Sequence, residues 1–167
     1  MKMYKRGFYG GKFLPFHKGH RYCIEYAAAQ CEELFVILFA ESAEEREILV
    51  SLPETDYLTP EARAAALQAA CATLPNVQFR VLNCREIYGD GKPDWDAETP
   101  YVLRTVGDFQ AVYSSEPSYG DYFQRAYPFA EHVLIDVPRK HVPISGTAIR
   151  NMTREQAQCW LPTEKGL

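Results

Sequence analysis

The sequence predicts a single α/β domain built around a doubly wound parallel sheet. Residues 4–9, 34–40, 77–82, 109–113 and 132–136 have the apolar pattern of strands, and segments with helical spacing separate most of them. Strands that alternate with helices along a chain typically form a parallel sheet covered by helices. The chain has 167 residues, of which 47% are hydrophobic, so one domain of this size can bury a core without disulfides or metals.

The start of the chain predicts a βαβ unit. A short strand at residues 4–9 leads into a glycine-containing loop, and from Lys18 to Glu32 the apolar residues fall at helical spacing. Residues 34–40 then form a continuous apolar run, which is typical of a strand buried on both faces of a parallel sheet. In such sheets the ligand site lies at the carboxyl ends of the strands. We therefore expect the glycine-containing loop to border a ligand site.

The middle of the chain predicts one clear helix between two loops. Thr59 caps a helix over residues 60–72, whose first position is a proline. The acidic residues 41–53 predict a solvated, irregular loop, and Arg63 is expected on the surface of the helix. Residues 83–100 predict a second long loop, and loops of this length in compact domains are often functional. Further helices are predicted at residues 101–108, 119–127 and 147–152.

Composition excludes several classes of protein. The net charge of −4 disfavours a nucleic-acid-binding protein or one that lies on an anionic membrane, since both need a basic surface. The longest apolar run is too short to span a bilayer. The five cysteines are widely spread and form no CxxC pair, which is typical of reduced thiols. We therefore expect a cytoplasmic protein with no nucleic-acid or membrane partner.

The segment YGGKFLPFHKGH at residues 9–20 has the chemistry of a phosphate site. Gly10 and Gly11 let the backbone approach a ligand closely, and the start of the following helix offers unpaired N–H groups. Lys12 and Lys18 add positive charge at the same place. These features predict phosphate binding where the first strand passes into the first helix.

His17 and His20 are the candidate catalytic side chains of this segment. They are three positions apart, so both rings project from the same side of the first helical turn. Two donors that can become cationic, placed at a helix N-terminus, can hold phosphate oxygens. One alternative is a core or surface histidine beside a helix cap. A zinc site is another, but the pair lacks the glutamate of an HExxH helix and a nearby third ligand.

A second motif, ISGTAIR at residues 144–150, has the features of a second phosphate contact. Ser145 or Thr147 can cap a helix whose N-terminal amides face a phosphate. Arg150, one turn further, offers a fork of donors for charged oxygens. The alternative is an ordinary capped helix with a solvated arginine.

Three segments together resemble a known family. Residues 11–20 resemble the GxFxPxHxGH signature of the nucleotidyltransferase superfamily that includes adenylyltransferases and cytidylyltransferases, and residues 144–150 resemble its second signature, ISxTxxR. Residues 112–120 resemble the SEPYG-like run of NadR-type nicotinamide mononucleotide adenylyltransferases, with Ser118 as an extra residue. The resemblance implies a Rossmann-like nucleotidyltransferase fold in a single domain over residues 1–167.

The resemblance also implies a reaction. ATP and nicotinamide mononucleotide would give NAD and pyrophosphate by in-line attack of the mononucleotide phosphate on the α-phosphorus of ATP. His17, His20, Arg150 and Lys12 would be the catalytic residues, and Mg²⁺ would be held mainly by the phosphates rather than by protein ligands. The residues expected to bind ATP are Gly10, Gly11, Phe13, Lys18, Gly19, Ser114, Ser115, Glu116, Ile144, Ser145 and Thr147.

The nicotinamide contact is assigned to Trp95 within the predicted loop at residues 83–100. A flat cationic ring is attracted to the face of an aromatic side chain, so Trp95 could stack on the nicotinamide. Alternatively, Trp95 anchors its loop. The preference between the amide and the acid mononucleotide stays open.

Other functions carry the same two signatures. Transferases that act on pantetheine phosphate, flavin mononucleotide or glycerol phosphate are alternatives, as is a nucleotide-sensing domain without turnover. Residues 89–92 fail the GxxxxGK[ST] spacing of a kinase loop, so we expect an adenylyltransferase domain without the kinase or repressor functions of NadR-type proteins. Members of this superfamily often form oligomers, so a homo-oligomer is one possibility, and the sequence leaves the oligomeric state open.

Overall fold

The computed structural model describes residues 2–162, which form one five-stranded parallel sheet with helices on both faces. The strand order is β3-β2-β1-β4-β5, so β1 and β4 are neighbours although they are distant in sequence. A doubly wound sheet has its ligand crevice at such a switch point. The strands are β1 (Tyr4–Gly11), β2 (Cys31–Ala40), β3 (Val77–Asn83), β4 (Ala111–Ser114) and β5 (Glu131–Leu134).

The helices within this part of the chain are α1 (Lys18–Gln30), α2 (Ala43–Ser51), α3 (Pro60–Ala72), α4 (Cys84–Tyr88), α5 (Trp95–Val106), α6 (Gly120–Ala126), α7 (Gly146–Arg150) and α8 (Arg154–Gln158), with a 3₁₀ turn at Pro117–Tyr119. None of them is both long and apolar enough to cross a membrane. The fold class predicted from the sequence is confirmed. The two ends of the predicted domain, residue 1 and residues 163–167, lie outside the described residues.

The core has two parts because successive side chains of β2 point to opposite faces of the sheet. Leu34, Val36 and Leu38 pack with α1 and α3 on one face. Phe35 and Ile37 pack with α5 and the aromatic residues that follow it on the other face. The strand β2 is therefore apolar throughout because it is buried on both faces, as the sequence predicted.

Two predicted loops are helical instead. Residues 41–53 contain α2, whose N-cap Ser42 accepts a hydrogen bond from the backbone of Glu45 at 3.1 Å. Residues 83–100 contain α4 and the first half of α5. The segment was predicted as a loop because it holds Gly89, Gly91 and Pro93, which lie between α4 and α5, whereas Pro100 lies inside α5, where a proline is uncommon. The tail after Met152 also contains a short helix, α8, that the sequence did not predict.

Arg63 is not a surface residue, because it is 1% exposed and forms a buried ion pair with Glu45. Its guanidinium also donates hydrogen bonds to the carbonyl oxygens of Leu58 and, at 3.1 Å, Lys12. These contacts tie α2 and α3 to the loop that leaves β1. The acidic segment was therefore misread as solvated, since one of its carboxylates is a structural partner of α3.

Candidate functional site

Two adjoining pockets open at the carboxyl ends of β1 and β4. Gly10 and Gly11 are the last residues of β1, and Ser114 is the last residue of β4. These three residues, together with Lys12 and Tyr119, line both pockets. We call the one that contains the histidines the polar pocket, with a volume of about 190 Å³, and the other the aromatic pocket, with a volume of about 510 Å³.

Packing explains the glycine at position 10. A Cβ atom there would lie 2.7 Å from the ring of Phe39 and 2.9 Å from the ring of Phe8. No ordinary side chain fits in that space, so the packing of these two rings requires a glycine at position 10. The bare backbone at Gly10 and Gly11 is then what a ligand in either pocket would meet.

His17 lines the polar pocket and carries a hydrogen-bond donor that the described residues leave without a partner. It is the N-cap of α1, and its Nδ1 accepts a hydrogen bond from the backbone of Gly19 at 3.0 Å. The proton of a neutral imidazole therefore lies on Nε2. Nε2 is buried and has no partner among the residues that the structure describes. A buried polar atom without a partner is uncommon and fits a missing ligand oxygen.

His20 completes a capping box with His17. Its Nδ1 accepts a hydrogen bond from the backbone of His17 at 3.2 Å, and the two rings stack with their centroids 3.7 Å apart. Their predicted placement on one side of the first turn is confirmed. The same argument as for His17 puts the proton of His20 on Nε2, so the pair offers two N–H donors.

Both imidazoles are neutral near pH 7 in this structure. Burial, and then the positive charge of Arg139, lower the pKa of His17 to about 4. Burial, the neighbouring His17 and Arg139 lower the pKa of His20 well below its usual value. The spacing of the two histidines predicted donors that could become cationic, but their burial and the nearby guanidinium of Arg139 disfavour the cationic form.

Arg139 supplies a positive charge that lines the polar pocket. Its Nη1 donates to the carbonyl oxygen of Ile144 at 2.9 Å, and its Nη2 lies 3.7 Å from a carboxylate oxygen of Glu116. The turn that carries it is held by Asp136, which accepts backbone hydrogen bonds from Lys140 and His141 at 2.9 Å each. The structure thus places Arg139 in the same pocket as the two histidines.

The second signature packs against the first instead of lining a pocket. Ser145 caps α7 by accepting a hydrogen bond from Ala148 at 3.1 Å. Arg150 donates from Nη2 to the hydroxyl of Thr147 at 3.3 Å and from Nη1 to the carbonyl oxygen of Leu14. A Cβ atom on Gly146 would lie 2.6 Å from that same carbonyl oxygen, so a glycine is needed for this close approach.

Apart from Trp95, which lines the aromatic pocket, the predicted site residues divide into two groups. Those that line the polar pocket are Gly10, Gly11, Lys12, Phe13, His17, Gly19, His20, Ser114, Ser115 and Glu116. Those that line neither pocket are Lys18, Ile144, Ser145, Thr147 and Arg150. Ile144 is buried in a small cluster with residues of α7 and α8, so its side chain is structural.

Sequence reasoning missed several residues of the polar pocket. The additional lining residues are Tyr9, Tyr22, Cys23, Tyr119, Asp136, Arg139 and Val142. The tyrosines and the cysteine fell at apolar positions of predicted elements, where they could not be distinguished from core residues. Asp136 ends a predicted strand, which is the position at which parallel sheets place ligand contacts, and this was a usable signal.

Residues 114–116, at the end of β4, are called the β4 loop here, and the hydroxyls of its two serines are hydrogen-bonded to other parts of the protein. Ser114 Oγ hydrogen-bonds to Nε2 of His132 at 2.6 Å, and Ser115 Oγ donates to the carbonyl oxygen of Ile135 at 2.7 Å. Both bonds connect β4 to β5. These serines therefore shape the wall of the polar pocket, and the backbone carbonyl oxygen of Ser114 is also engaged, because it accepts a hydrogen bond from the backbone of Ile135 at 2.9 Å.

Aromatic side chains form much of the second pocket. Trp95, the first residue of α5, packs edge-on against Tyr119 and Tyr122 with centroid distances of 4.8 and 5.1 Å. Trp95 is half-buried and lines the cavity, as do Tyr88, Phe123 and Tyr127. The structure thus places Trp95 beside the polar pocket, and its contacts with two tyrosines are also those of a structural anchor.

A metal centre is not formed by the protein alone in residues 2–162. No group of three or more histidine, cysteine, aspartate or glutamate side chains could hold an ion there. The carboxylates nearest the polar pocket are already engaged, Glu116 near Arg139 and Asp136 with two backbone N–H groups.

A parallel sheet with this switch-point site and these two packed signatures defines a nucleotidyltransferase of the Rossmann-like fold. The chain belongs to the cytidylyltransferase-like family, whose sequence model matches residues 8–152. The matched range contains the residues that line both pockets and both signature segments.

Two relatives with similar sequences are named for NAD biosynthesis or for the transfer of an adenylyl group to nicotinate nucleotide. The chain is 26% identical over 157 residues to the trifunctional NAD biosynthesis/regulator protein NadR of Escherichia coli K12, a match over 92% of this chain and 38% of the relative. It is 32% identical over 120 residues to a probable nicotinate-nucleotide adenylyltransferase of Desulfotalea psychrophila, a match over 70% of this chain and 49% of the relative. The chain thus spans less than half the length of either relative.

Solved structures share the fold. A NadR protein in complex with NR superposes with a TM-score of 0.65 and 19% identity, over 93% of this chain and 42% of that one. A bifunctional NMN adenylyltransferase/ADP ribose pyrophosphatase from Francisella tularensis, complexed with AMP and a manganese ion, has a TM-score of 0.59 and 16% identity, over 95% of this chain and 44% of that one.

Proposed function

We propose that this protein is a nicotinamide-nucleotide adenylyltransferase, which joins ATP and nicotinamide mononucleotide to give NAD and pyrophosphate. One observation carries the proposal: a polar pocket with two imidazole donors adjoins an aromatic pocket, and both share a bare backbone floor at Gly10 and Gly11. Two substrates can therefore meet over one strand end. The names of the relatives support the same class of substrates.

The chemistry of each pocket assigns its substrate. His17, His20 and Arg139 suit the phosphates of ATP, with the adenine over Gly10 and Gly11 and against the β4 loop. Trp95 and its neighbouring tyrosines suit the cationic nicotinamide ring. An aromatic-lined cavity of about 510 Å³ disfavours glycerol phosphate, which has no ring to stack.

The reaction needs no nucleophile from the protein. An oxygen of the mononucleotide 5′-phosphate forms a bond to the α-phosphorus of ATP, while the bond from that phosphorus to the bridging oxygen breaks and its electron pair leaves with pyrophosphate. The protein contributes position and charge stabilisation. In this proposal Nε2–H of His17 and of His20 donate to phosphate oxygens, and Lys12 and Arg139 offset the negative charge that develops on the leaving group.

Arg150 takes an indirect role in this scheme. Its guanidinium holds the carbonyl oxygen of Leu14 and so fixes the loop between β1 and the histidines. Its remaining donors stay available for a phosphate that extends beyond the polar pocket. Lys18, Ser145 and Thr147 stay predicted ATP contacts, and they lie outside the pocket as the structure has it.

A divalent cation fits the site as an ion held by phosphates. The polar pocket offers cationic side chains and engaged carboxylates, so Lys12 and Arg139 would hold the phosphates that in turn hold Mg²⁺. When bound, the ion would offset charge on the phosphate oxygens.

The proposal is tested by incubating the protein with ATP, Mg²⁺ and nicotinamide mononucleotide and measuring NAD and pyrophosphate. We expect equal amounts of both products. No NAD at high protein concentration would contradict the proposal, and nucleotide binding without turnover would identify a sensing domain. Sedimentation of the same sample determines the oligomeric state, which the sequence leaves open.

His20→Ala tests the role of the histidine pair. Loss of a donor to the developing charge should reduce kcat/KM by about a hundredfold or more. His141→Ala is a matched control, because that exposed ring stacks on Tyr22 at 4.9 Å and lines neither pocket. A His20→Ala protein that fails to fold would instead indicate a structural histidine.

A further inference from the structure

Glu98 is a buried acid in the wall of the aromatic pocket. It lies one turn after Trp95 on α5, and Trp95, Glu98 and Val102 line the cavity along one face of that helix. Glu98 is 8% exposed. A carboxylate in this position is expensive to bury unless something in the pocket interacts with it.

The surroundings of Glu98 provide no paired cation. Within residues 2–162 it forms no ion pair, and the positive group that acts on its pKa is Lys12, whose ammonium contacts Glu44 at 2.5 Å. The other titratable groups that interact with Glu98 are Asp94, which caps the same helix, and four side chains from neighbouring elements. These four are Cys84 and Tyr88 of α4, Tyr122 of α6, and Tyr127, which follows α6. These groups are neutral or acidic, and among the described residues that line the aromatic pocket Lys12 is the one cation.

We propose that Glu98 is a specificity-determining residue that makes the aromatic pocket select the amide mononucleotide over the acid mononucleotide. This inference rests on the proposed function. Both mononucleotides carry a cationic pyridinium ring, which a carboxylate attracts. The carboxamide adds N–H donors that Glu98 can accept from, whereas nicotinic acid adds a second carboxylate that Glu98 repels at short range in a poorly solvated site.

The charge of Glu98 can also be changed by changing the pH, which tests the proposal without a substitution. Burial raises the pKa of Glu98 to about 7, with the charge of Lys12 opposing the shift and that of Asp94 adding to it. Glu98 therefore becomes charged as the pH rises through that value, and the preference for the amide should increase with pH. Phosphate ionisation is common to both mononucleotides, so it cancels when the ratio of their affinities is measured.

The experiment compares the binding of nicotinamide mononucleotide and nicotinic acid mononucleotide by calorimetry, which needs no turnover. We expect the unaltered protein to bind the amide about tenfold tighter or more, and Glu98→Gln to bring the two affinities close to equality. Asp96→Asn is the control, because it removes the same charge from α5 at an exposed residue that pairs with Arg125 and lines neither pocket. That variant should retain the preference.

The outcomes separate the two proposals. An unchanged affinity ratio in a folded Glu98→Gln protein, or a ratio in the unaltered protein that does not rise between about pH 6 and about pH 8, overturns the role of Glu98. Equal affinities in the unaltered protein overturn it as well. If the amide binds selectively through Glu98 but no NAD forms, the catalytic proposal fails and the inference about selectivity stands.

Discussion

Arg150 donates a hydrogen bond from Nη1 to the carbonyl oxygen of Leu14 at 2.5 Å, although the two residues are 136 positions apart in the sequence. The bond joins the two signature segments directly. Gly146 lies against the same carbonyl oxygen, so α7 and the loop after β1 are held as one unit. The two segments are thus coupled through the protein before any ligand binds.

Arg150→Lys tests this coupling. Lysine retains the charge but loses the planar fork that reaches Leu14 and Thr147 together. We expect kcat/KM for NAD formation to fall by about tenfold or more, and the free energy of unfolding to fall by about 1 kcal/mol. Steady-state kinetics and urea unfolding measure the two effects.

Arg154→Lys is the matched control for that variant. Arg154 pairs with Asp56, whose carboxylate is largely exposed, and exposed pairs contribute little. It should leave both quantities nearly unchanged. If Arg150→Lys behaves like the control, the link between the signatures does not hold the site.

The buried histidines should make stability depend on pH. The pKa of His17 is lowered to about 4, so between that value and its ordinary 6.5 the unfolded chain binds a proton that the folded chain does not. Stability is therefore lost as the pH falls through this window. From about pH 7 to about pH 5 the unaltered protein should lose about 2 kcal/mol more than His17→Asn.

Asparagine suits this comparison because it can still cap α1 but does not titrate. Urea unfolding at several pH values measures the difference, with His141→Asn as the exposed control. Parallel pH profiles for His17→Asn and the unaltered protein would mean that His17 does not carry the linkage.

Trp95→Ala tests the assignment of the aromatic pocket. Loss of the indole removes the ring proposed to stack on nicotinamide, so the KM for the mononucleotide should rise about tenfold or more while the KM for ATP changes little. Trp95→Phe should recover part of the affinity. Equal increases in both KM values would favour the anchor role that the contacts with Tyr119 and Tyr122 also allow.

Glu45→Gln tests the buried pair with Arg63. Removing one partner leaves the other charge buried without compensation, which costs about 3 to 5 kcal/mol. Urea unfolding measures this loss, and Glu47→Gln, an exposed residue of the same helix, is the control. A loss below about 1 kcal/mol would mean that the pair is replaceable.

The sequence predicted those parts of the fold whose signals are local. Residues 34–40 are apolar throughout, and Thr59 with Pro60 marks a helix start, so β2 and α3 were found close to their observed bounds. The acidic segment containing α2 was missed because the partner of Glu45 lies on α3, 18 positions away. An ion pair between two helices leaves no periodic pattern in either one.

In the candidate site, too, the sequence predicted only the residues that lie close together along the chain. His17, His20 and the glycines lie in one contiguous motif, so their proximity follows from the local chain. Tyr119, Arg139 and Glu98 come from three separate segments that only the strand order brings together. The neutral state of the imidazoles depends on burial and on Arg139, and spacing carries no information on either.

Gly10, Gly11 and Lys12 form a floor common to both pockets, and this has a kinetic consequence for the proposed enzyme. A dinucleotide made by the proposed reaction would lie across the shared floor and occupy both pockets until it leaves. NAD should then inhibit competitively against ATP and against the mononucleotide alike, whereas pyrophosphate should compete only with ATP. Departure of the larger product, rather than bond formation, would then govern how soon the site can accept its next pair of substrates.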